Sequence, residues 1–147
     1  MSIKDTLTND MKEAMKAKEK DRLAVIRMVR GAIKQIEIDS KKELEDEAVI
    51  GVISKEVKMR KDSVEEFKKG GREDLVAKTE AEIAVLMPYL PQQLSEDEIR
   101  SLVQAAVEQV GASSPKDMGK VMGVLMPKVK GRADGKLVNT IVKEALN

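Results

Sequence analysis

The chain has 147 residues, the size of one domain or of one domain with a small second module. Charged residues make up 36% of it and aromatic residues 1%, a composition typical of exposed helix faces and unlike that of β-sandwiches and barrels. It contains no Cys and no His, which excludes disulfides, thiolate nucleophiles, Cys/His zinc sites and imidazole general bases.

The first ten residues, MSIKDTLTND, lack the apolar segment of a signal peptide, and no apolar run approaches the roughly 18 residues of a membrane-spanning helix. We therefore expect a cytoplasmic protein without a membrane partner. The net charge of +1 is unevenly distributed. Basic and acidic side chains are equal in number over residues 1–91, acidic ones exceed basic ones over 92–110, and residues 111–147 carry seven basic against three acidic side chains.

Apolar residues recur at helical spacing through the first part of the chain. They predict a short first helix, a second over about 21–38 and a third over about 44–69. Met15 and Ile36 are expected to face inward with the other apolar residues of the first two helices. Gly70-Gly71 is expected to end the third helix, as glycine does at helix C-termini.

A fourth helix is predicted to end or kink near Met87, because Pro88 and Pro91 follow and proline cannot donate a backbone hydrogen bond. We place a module boundary between these prolines. Residues 1–91 are then an N-terminal antiparallel helical module of about four helices, and residues 92–147 a small three-helix C-terminal module. The predicted fold class is all-α.

Helix signals in the C-terminal module are strong. Ser95 with Glu98 forms a capping-box pattern that opens the fifth helix, and Gly111 ends it. Ser114 is expected to cap the sixth helix, with a proline in its preferred first position. Asp134 is expected to cap the seventh.

The sixth predicted helix has an apolar stripe on one side and glycines with lysines on the other. A helical wheel places Gly119 and Gly123 outward, together with Lys116, Lys120 and, if the helix reaches that far, Lys130. Glycine costs about 1 kcal/mol relative to alanine in a helix, and glycines retained for core packing should lie on the apolar side. Bare backbone flanked by cations suits the close approach of a phosphate backbone or of another chain.

The turn after this helix adds further cations, so that six basic residues stand against two acidic ones between positions 116 and 136. The predicted RNA-binding surface consists of Lys116, Gly119, Lys120, Gly123, Lys128, Lys130, Gly131, Arg132 and Lys136. Two plainer interpretations remain open: a solvated lysine face, and glycines that contact the fifth helix, the first module or a second copy of the chain.

A secondary basic face, Arg27, Arg30 and Lys34 on the second helix, is either a further binding candidate or a solvated surface. Glu56 and Arg60 lie one turn apart within the apolar stripe of the third helix and are expected to pair. The acidic residues between positions 43 and 47 complement a helix N-terminus. We predict no metal ligand and no catalytic residue.

Four segments of the chain are distinctive: Lys58-Met-Arg-Lys-Asp-Ser63, Gly71-Arg-Glu-Asp-Leu75, Tyr89-Leu-Pro-Gln-Gln-Leu-Ser95 and the stretch from Met118 to Lys136. Through them the whole chain resembles the small bacterial YqeY-like proteins. The final third is also similar to the tail domain of the B subunit of the glutamine-dependent aspartyl/glutamyl-tRNA amidotransferase. That similarity rests on the two spaced glycines, the Lys-Gly-x-Ala turn and Leu137-Val-Asn139.

In the amidotransferase the tail is a helical module that contacts the body of tRNA, while phosphorylation and amide transfer take place in other domains. The resemblance therefore implies binding of tRNA or structured RNA, with no cofactor. The catalytic cradle of that enzyme is absent here, so carbon–nitrogen ligation with glutamine as amido-N-donor is not expected of this chain by itself.

We expect a non-catalytic accessory protein that binds tRNA or structured RNA through the C-terminal module. Two other hypotheses stay open: an accessory subunit of a tRNA amidotransferase-like ligase, and a protein–protein interaction module. A tRNA-modifying or aminoacylating enzyme would then be the protein partner.

Overall fold

The computed structural model describes all 147 residues, and it contains seven α-helices, two short 3-10 turns and no strand. The all-α prediction is confirmed. The helices are α1 (Ile3–Lys16), α2 (Lys20–Ser40), α3 (Asp46–Lys69), α4 (Glu73–Leu86), α5 (Glu96–Val110), α6 (Met118–Val129) and α7 (Gly135–Leu146). None of them is both long enough and apolar enough to cross a membrane.

The chain forms two compact units, Met1–Leu90 and Pro91–Asn147. Each has its own core of buried aliphatic side chains. The division falls after the 3-10 turn Met87–Tyr89, which follows α4 where proline interrupts the helical hydrogen bonds.

The core of the N-terminal unit draws on all four of its helices, and Leu7, Ile26, Ile53 and Leu86 are fully buried in it. Two inward predictions were wrong, because Met15 is 49% and Ile36 is 41% exposed. Met15 follows the buried Ala14 and is therefore turned about 100° away from the core. Ile36 lies one turn beyond Ile33, the last buried residue of α2.

The predicted pair between Glu56 and Arg60 is confirmed. The Arg60 Nη1 donates to Glu56 Oε2 at 2.8 Å, and its Nε donates to Glu82 Oε1 of α4 at 2.9 Å. The Arg60 side chain is only 11% exposed, so this ion pair joins α3 to α4 at the edge of the core.

The core of the C-terminal unit is purely aliphatic, and each of α5, α6 and α7 contributes to it. The predicted capping box is confirmed: the Ser95 hydroxyl accepts from Glu98 N, and the Glu98 carboxylate accepts from Ser95 N, both at 3.1 Å. Gly111 ends α5 in the left-handed conformation (φ +65°), which favours glycine. Asp134 caps α7 by accepting from Lys136 N at 3.0 Å.

The predicted start of the sixth helix was partly wrong. Residues Pro115–Asp117 form a 3-10 turn, α6 begins at Met118, and the Ser114 side chain makes no capping hydrogen bond. Asp117 is the residue before α6, but its carboxylate makes no capping bond to that helix and accepts instead from the upstream Ser113 N at 3.0 Å. That hydrogen bond holds the pKa of Asp117 below its usual value, and the charge of Lys120 adds to the effect.

Candidate functional site

The outward side of α6 exposes backbone over three successive turns. Gly119 and Gly123 lie one turn apart and are exposed, and a Cβ added to either would meet no atom within 4 Å. Pro127, also exposed, occupies the same side one turn later. Val121 and Leu125 fill the core from the opposite side. The glycines therefore contribute nothing to packing within the unit.

Cations without acidic partners accompany this strip. Lys116, Lys120 and Lys128 are exposed, and none forms an ion pair within 4.0 Å. The nearby Asp117 is engaged by a backbone N–H, so it offers little competition for a ligand. Only Lys120 projects a long side chain from the middle of the strip, since its neighbours there are the two glycines.

The turn after α6 is held by hydrogen bonds to the segment before α5. Leu94 N donates to Arg132 O at 2.8 Å, Gln93 Nε2 donates to Gly131 O at 2.8 Å, and Arg132 Nε donates to Gln92 O at 3.2 Å. Gly131 adopts a positive φ of 74°, a backbone conformation that favours glycine. Gly131 and Arg132 therefore have a structural role in the C-terminal unit.

The nine residues of the predicted surface thus divide into two groups. Four belong to the α6 strip and its approach: Lys116, Gly119, Lys120 and Gly123. The other five lie at the end of α6, in the turn after it and at the start of α7. Lys130 is the first residue beyond α6, which ends at Val129, and Lys136 lies in the first turn of α7. Gln92 and Gln93 were missed, because they lie about 40 residues from the groups they bind.

The three residues of the secondary basic face lie together in the structure. Arg27, Arg30 and Lys34 line one groove between α1 and α2, together with Lys4 of α1 and Glu37 of α2. Lys4 and Glu37 were missed, since no local pattern links residues 33 positions apart. Their side chains pair at 2.6 Å, and the hydrogen bond from Lys4 lowers the pKa of Glu37.

The acidic residues between α2 and α3 contribute to structure. Asp46 Oδ1 accepts from Ile3 N at 2.9 Å and so links the start of α3 to the start of α1. No group of three or more acidic side chains in the protein is close enough to hold a metal ion. Tyr89 donates to Asp10 of α1, and burial raises the pKa of its hydroxyl, so this contact anchors the chain after α4.

The family model described as Yqey-like protein matches residues 4–146, almost the whole chain. The chain belongs to the YqeY-like family. Fungal relatives carry the name "Altered inheritance of mitochondria protein 41, mitochondrial". The one from Pyrenophora tritici-repentis is 35% identical over 95% of this chain and 78% of its own length. The one from Lachancea thermotolerans is 40% identical over 74% of this chain and 60% of its own length. The one from Saccharomyces cerevisiae strain YJM789 is 31% identical over 94% of this chain and 80% of its own length.

These names correct one expectation drawn from the sequence. A cytoplasmic location was predicted, whereas the relatives are named as mitochondrial proteins and point to mitochondria. The prediction rested on the composition of the first ten residues and on the absence of an apolar segment. Neither observation tests for a mitochondrial location, because mitochondrial targeting depends on amphipathic, Arg-rich segments instead of apolar ones.

Proposed function

We propose that this YqeY-like protein binds tRNA or another structured RNA through the outward side of α6. This surface, the α6 strip, consists of Gly119, Lys120 and Gly123 of α6 together with Lys116 of the preceding 3-10 turn. The protein acts in this role as a binding accessory and not as a catalyst. The aspartyl/glutamyl-tRNA amidotransferase tail, to which this unit is similar, motivates the choice of RNA.

The observation that carries the proposal is the open space over both glycines. A glycine in a helix interior, as Gly123 is, is unfavourable by about 1 kcal/mol relative to alanine, and packing within the unit explains neither Gly123 nor Gly119, the second residue of α6. A surface on which backbone and cations lie together allows phosphate groups to approach closely and to meet Lys116 and Lys120. Nearly aromatic-free composition disfavours stacking on single-stranded bases, so recognition by backbone and shape fits better.

Binding of tRNA measured by fluorescence anisotropy at several salt concentrations tests this proposal. Replacing Lys116→Gln and Lys120→Gln together should weaken binding and reduce the slope of log affinity against log salt by about 1–2, because each lysine neutralises about one phosphate. Both side chains are exposed and unpaired, so the variant should fold normally.

The matched control is Lys61→Gln with Lys143→Gln. It removes the same charge from exposed, unpaired lysines of α3 and α7. Equal loss of binding in the two variants would show only a general charge effect and would overturn the assignment to the α6 strip. Recovery of a protein partner after nuclease treatment, without RNA, would favour the protein-interaction hypothesis instead.

A further inference from the structure

The N-terminal unit contains a second basic site, which is independent of the proposed RNA surface. A groove of about 440 Å³ runs between α1 and α2, a volume within the range of small-molecule sites. Four cations line it, Lys4, Arg27, Arg30 and Lys34, against one carboxylate, Glu37.

The charge of that one carboxylate is already neutralised. Glu37 Oε2 accepts from Lys4 Nζ at 2.6 Å and from Leu44 N at 2.8 Å. The other three cations form no ion pair within 4.0 Å. The groove therefore holds three uncompensated positive charges.

Helical spacing places these three charges on one side of α2. Arg27, Arg30 and Lys34 follow one another at intervals of three and four residues, so they span roughly 10 Å along the helix. Gly31 lies among them, and a Cβ there would meet nothing within 4 Å, so no side chain obstructs the space between the cations.

The Arg30 guanidinium contacts only a weak hydrogen-bond acceptor. Its Nη1 contacts Met11 Sδ of α1 at 2.9 Å, and a thioether is a weak hydrogen-bond acceptor. The remaining guanidinium donors are available, and the planar fork of arginine matches phosphate oxygens in pairs.

The geometry points to a binding site for a small diphosphate in this groove, held by Arg27, Arg30 and Lys34. Three cations within about 10 Å match the two to three negative charges of a pyrophosphate group. The groove is concave, opens to solvent and has the volume of a small-molecule site. The site takes either inorganic pyrophosphate or the diphosphate of a nucleotide.

Calorimetric titration of the full chain with pyrophosphate, and separately with ADP, tests the site. Arg27→Gln with Lys34→Gln removes two exposed cations and should weaken pyrophosphate binding by about tenfold or more, since charge-assisted hydrogen bonds are lost at both positions. The control Lys20→Gln with Lys61→Gln makes the same change of charge outside the groove, at exposed and unpaired lysines, and should leave the affinity unchanged.

A gain-of-binding variant tests the same site from the other direction. Glu37→Gln releases Lys4 and keeps an acceptor for Leu44 N, so pyrophosphate should bind about 2–5-fold more tightly. ADP binding with the affinity of pyrophosphate would assign recognition to the diphosphate alone, and tighter ADP binding would add a contact to the nucleoside.

Absence of pyrophosphate binding, or equal weakening in the groove variant and its control, would overturn the proposal. If the wild-type protein binds no pyrophosphate and the groove variant loses tRNA binding, the groove is an RNA contact and the diphosphate proposal is wrong. Loss of tRNA binding in the Lys116→Gln, Lys120→Gln variant leaves the diphosphate site unaffected, which keeps the two proposals separable.

Discussion

The two units each contain an arginine that bridges two carboxylates, and the two arginines differ sharply in burial. Arg60 in the N-terminal unit binds Glu56 and Glu82 with its side chain 11% exposed. Arg100 in the C-terminal unit binds Glu96 and Glu144, and its side chain is 46% exposed. Each arginine joins two helices, α3 to α4 and α5 to α7, but only Arg60 does so at the edge of a core.

Both units contain paired and unpaired cations. The N-terminal unit pairs Lys4 with Glu37 and Arg60 with two carboxylates, and leaves Arg27, Arg30 and Lys34 unpaired in the groove. The C-terminal unit has an aliphatic core without ion pairs, and the lysines of the α6 strip remain without acidic partners. Unpaired cations are costly to collect on one surface through mutual repulsion, so a concentrated set is a better indicator of a binding surface than the net charge.

The largest expected change in stability comes from removing a core side chain, and it tests whether the two units unfold independently. Leu125→Ala in α6 and Leu86→Ala in α4 each remove a fully buried side chain and should destabilise their own unit by about 2–5 kcal/mol. Hydrogen exchange followed by mass spectrometry should show lost protection in residues 91–147 for the first variant and in residues 1–90 for the second. Equal loss in both units for either variant would show that they unfold together.

Replacing the arginine that bridges two glutamates in each unit should give the next largest changes in stability. Arg60→Met leaves two half-buried carboxylates without a partner and should lower the free energy of unfolding by about 2–4 kcal/mol. Arg100→Met breaks two exposed pairs and should cost less than about 1 kcal/mol. Urea denaturation measures both. Adding Glu56→Gln and Glu82→Gln to Arg60→Met should restore part of the loss, and similar costs for the two arginines would contradict the difference in burial.

Replacing the two α6 glycines should change stability and tRNA affinity in opposite directions. Gly123→Ala in the interior of α6 should stabilise the C-terminal unit by about 0.5–1 kcal/mol, and Gly119→Ala, at the second residue of α6, should add less, because no neighbour opposes the added methyl groups. Binding of tRNA should nevertheless weaken, since the methyl groups cover the exposed backbone. Gly31→Ala in α2 is the control, as its surroundings are equally open. It should raise stability by a similar amount without changing tRNA affinity, and unchanged tRNA binding in the double variant would remove the glycines from the proposed site.

Local sequence signals predicted the helices, their capping and their ends because those features depend on neighbouring residues. The Ser95–Glu98 capping box and the left-handed Gly111 are determined within one or two turns. The start of α6 was misplaced because Pro115–Asp117 form a 3-10 turn, and neither Ser114 nor Asp117 caps a helix with its side chain.

Partners from distant parts of the chain could not be predicted in the same way. Periodicity shows which side of a helix is apolar, but it does not show which other helix covers that side. Glu82 lies 22 residues from Arg60, and Glu37 lies 33 residues from Lys4. For the same reason the sequence could not show that the Arg132 side chain donates to the Gln92 carbonyl, so Arg132 is a poor position for testing the RNA surface.

The smallest expected effect concerns two glutamates whose pKa values are lowered by different partners. The hydrogen bond from Lys4 is the main cause for Glu37, and the backbone N–H of Ser95 is the main cause for Glu98. Each has an ordinary pKa of 4.5. Because folding lowers the pKa, each ionised carboxylate stabilises its unit fully above about pH 4.5, and this stabilisation is lost as the pH falls through the folded-state pKa.

High salt should change the pKa of Glu37 more than that of Glu98. Screening weakens the attraction between Glu37 and the charged Lys4, so the pKa of Glu37 should rise toward 4.5 in high salt. Glu98 is held mainly by the neutral N–H and hydroxyl groups of Ser95, so its pKa should change less. Carbon-13 NMR titration of the glutamate carboxyl groups at low and high salt measures both values. Equal salt shifts would show that Glu98 depends on charge as much as Glu37 does, with Arg132 as the nearest source of that charge.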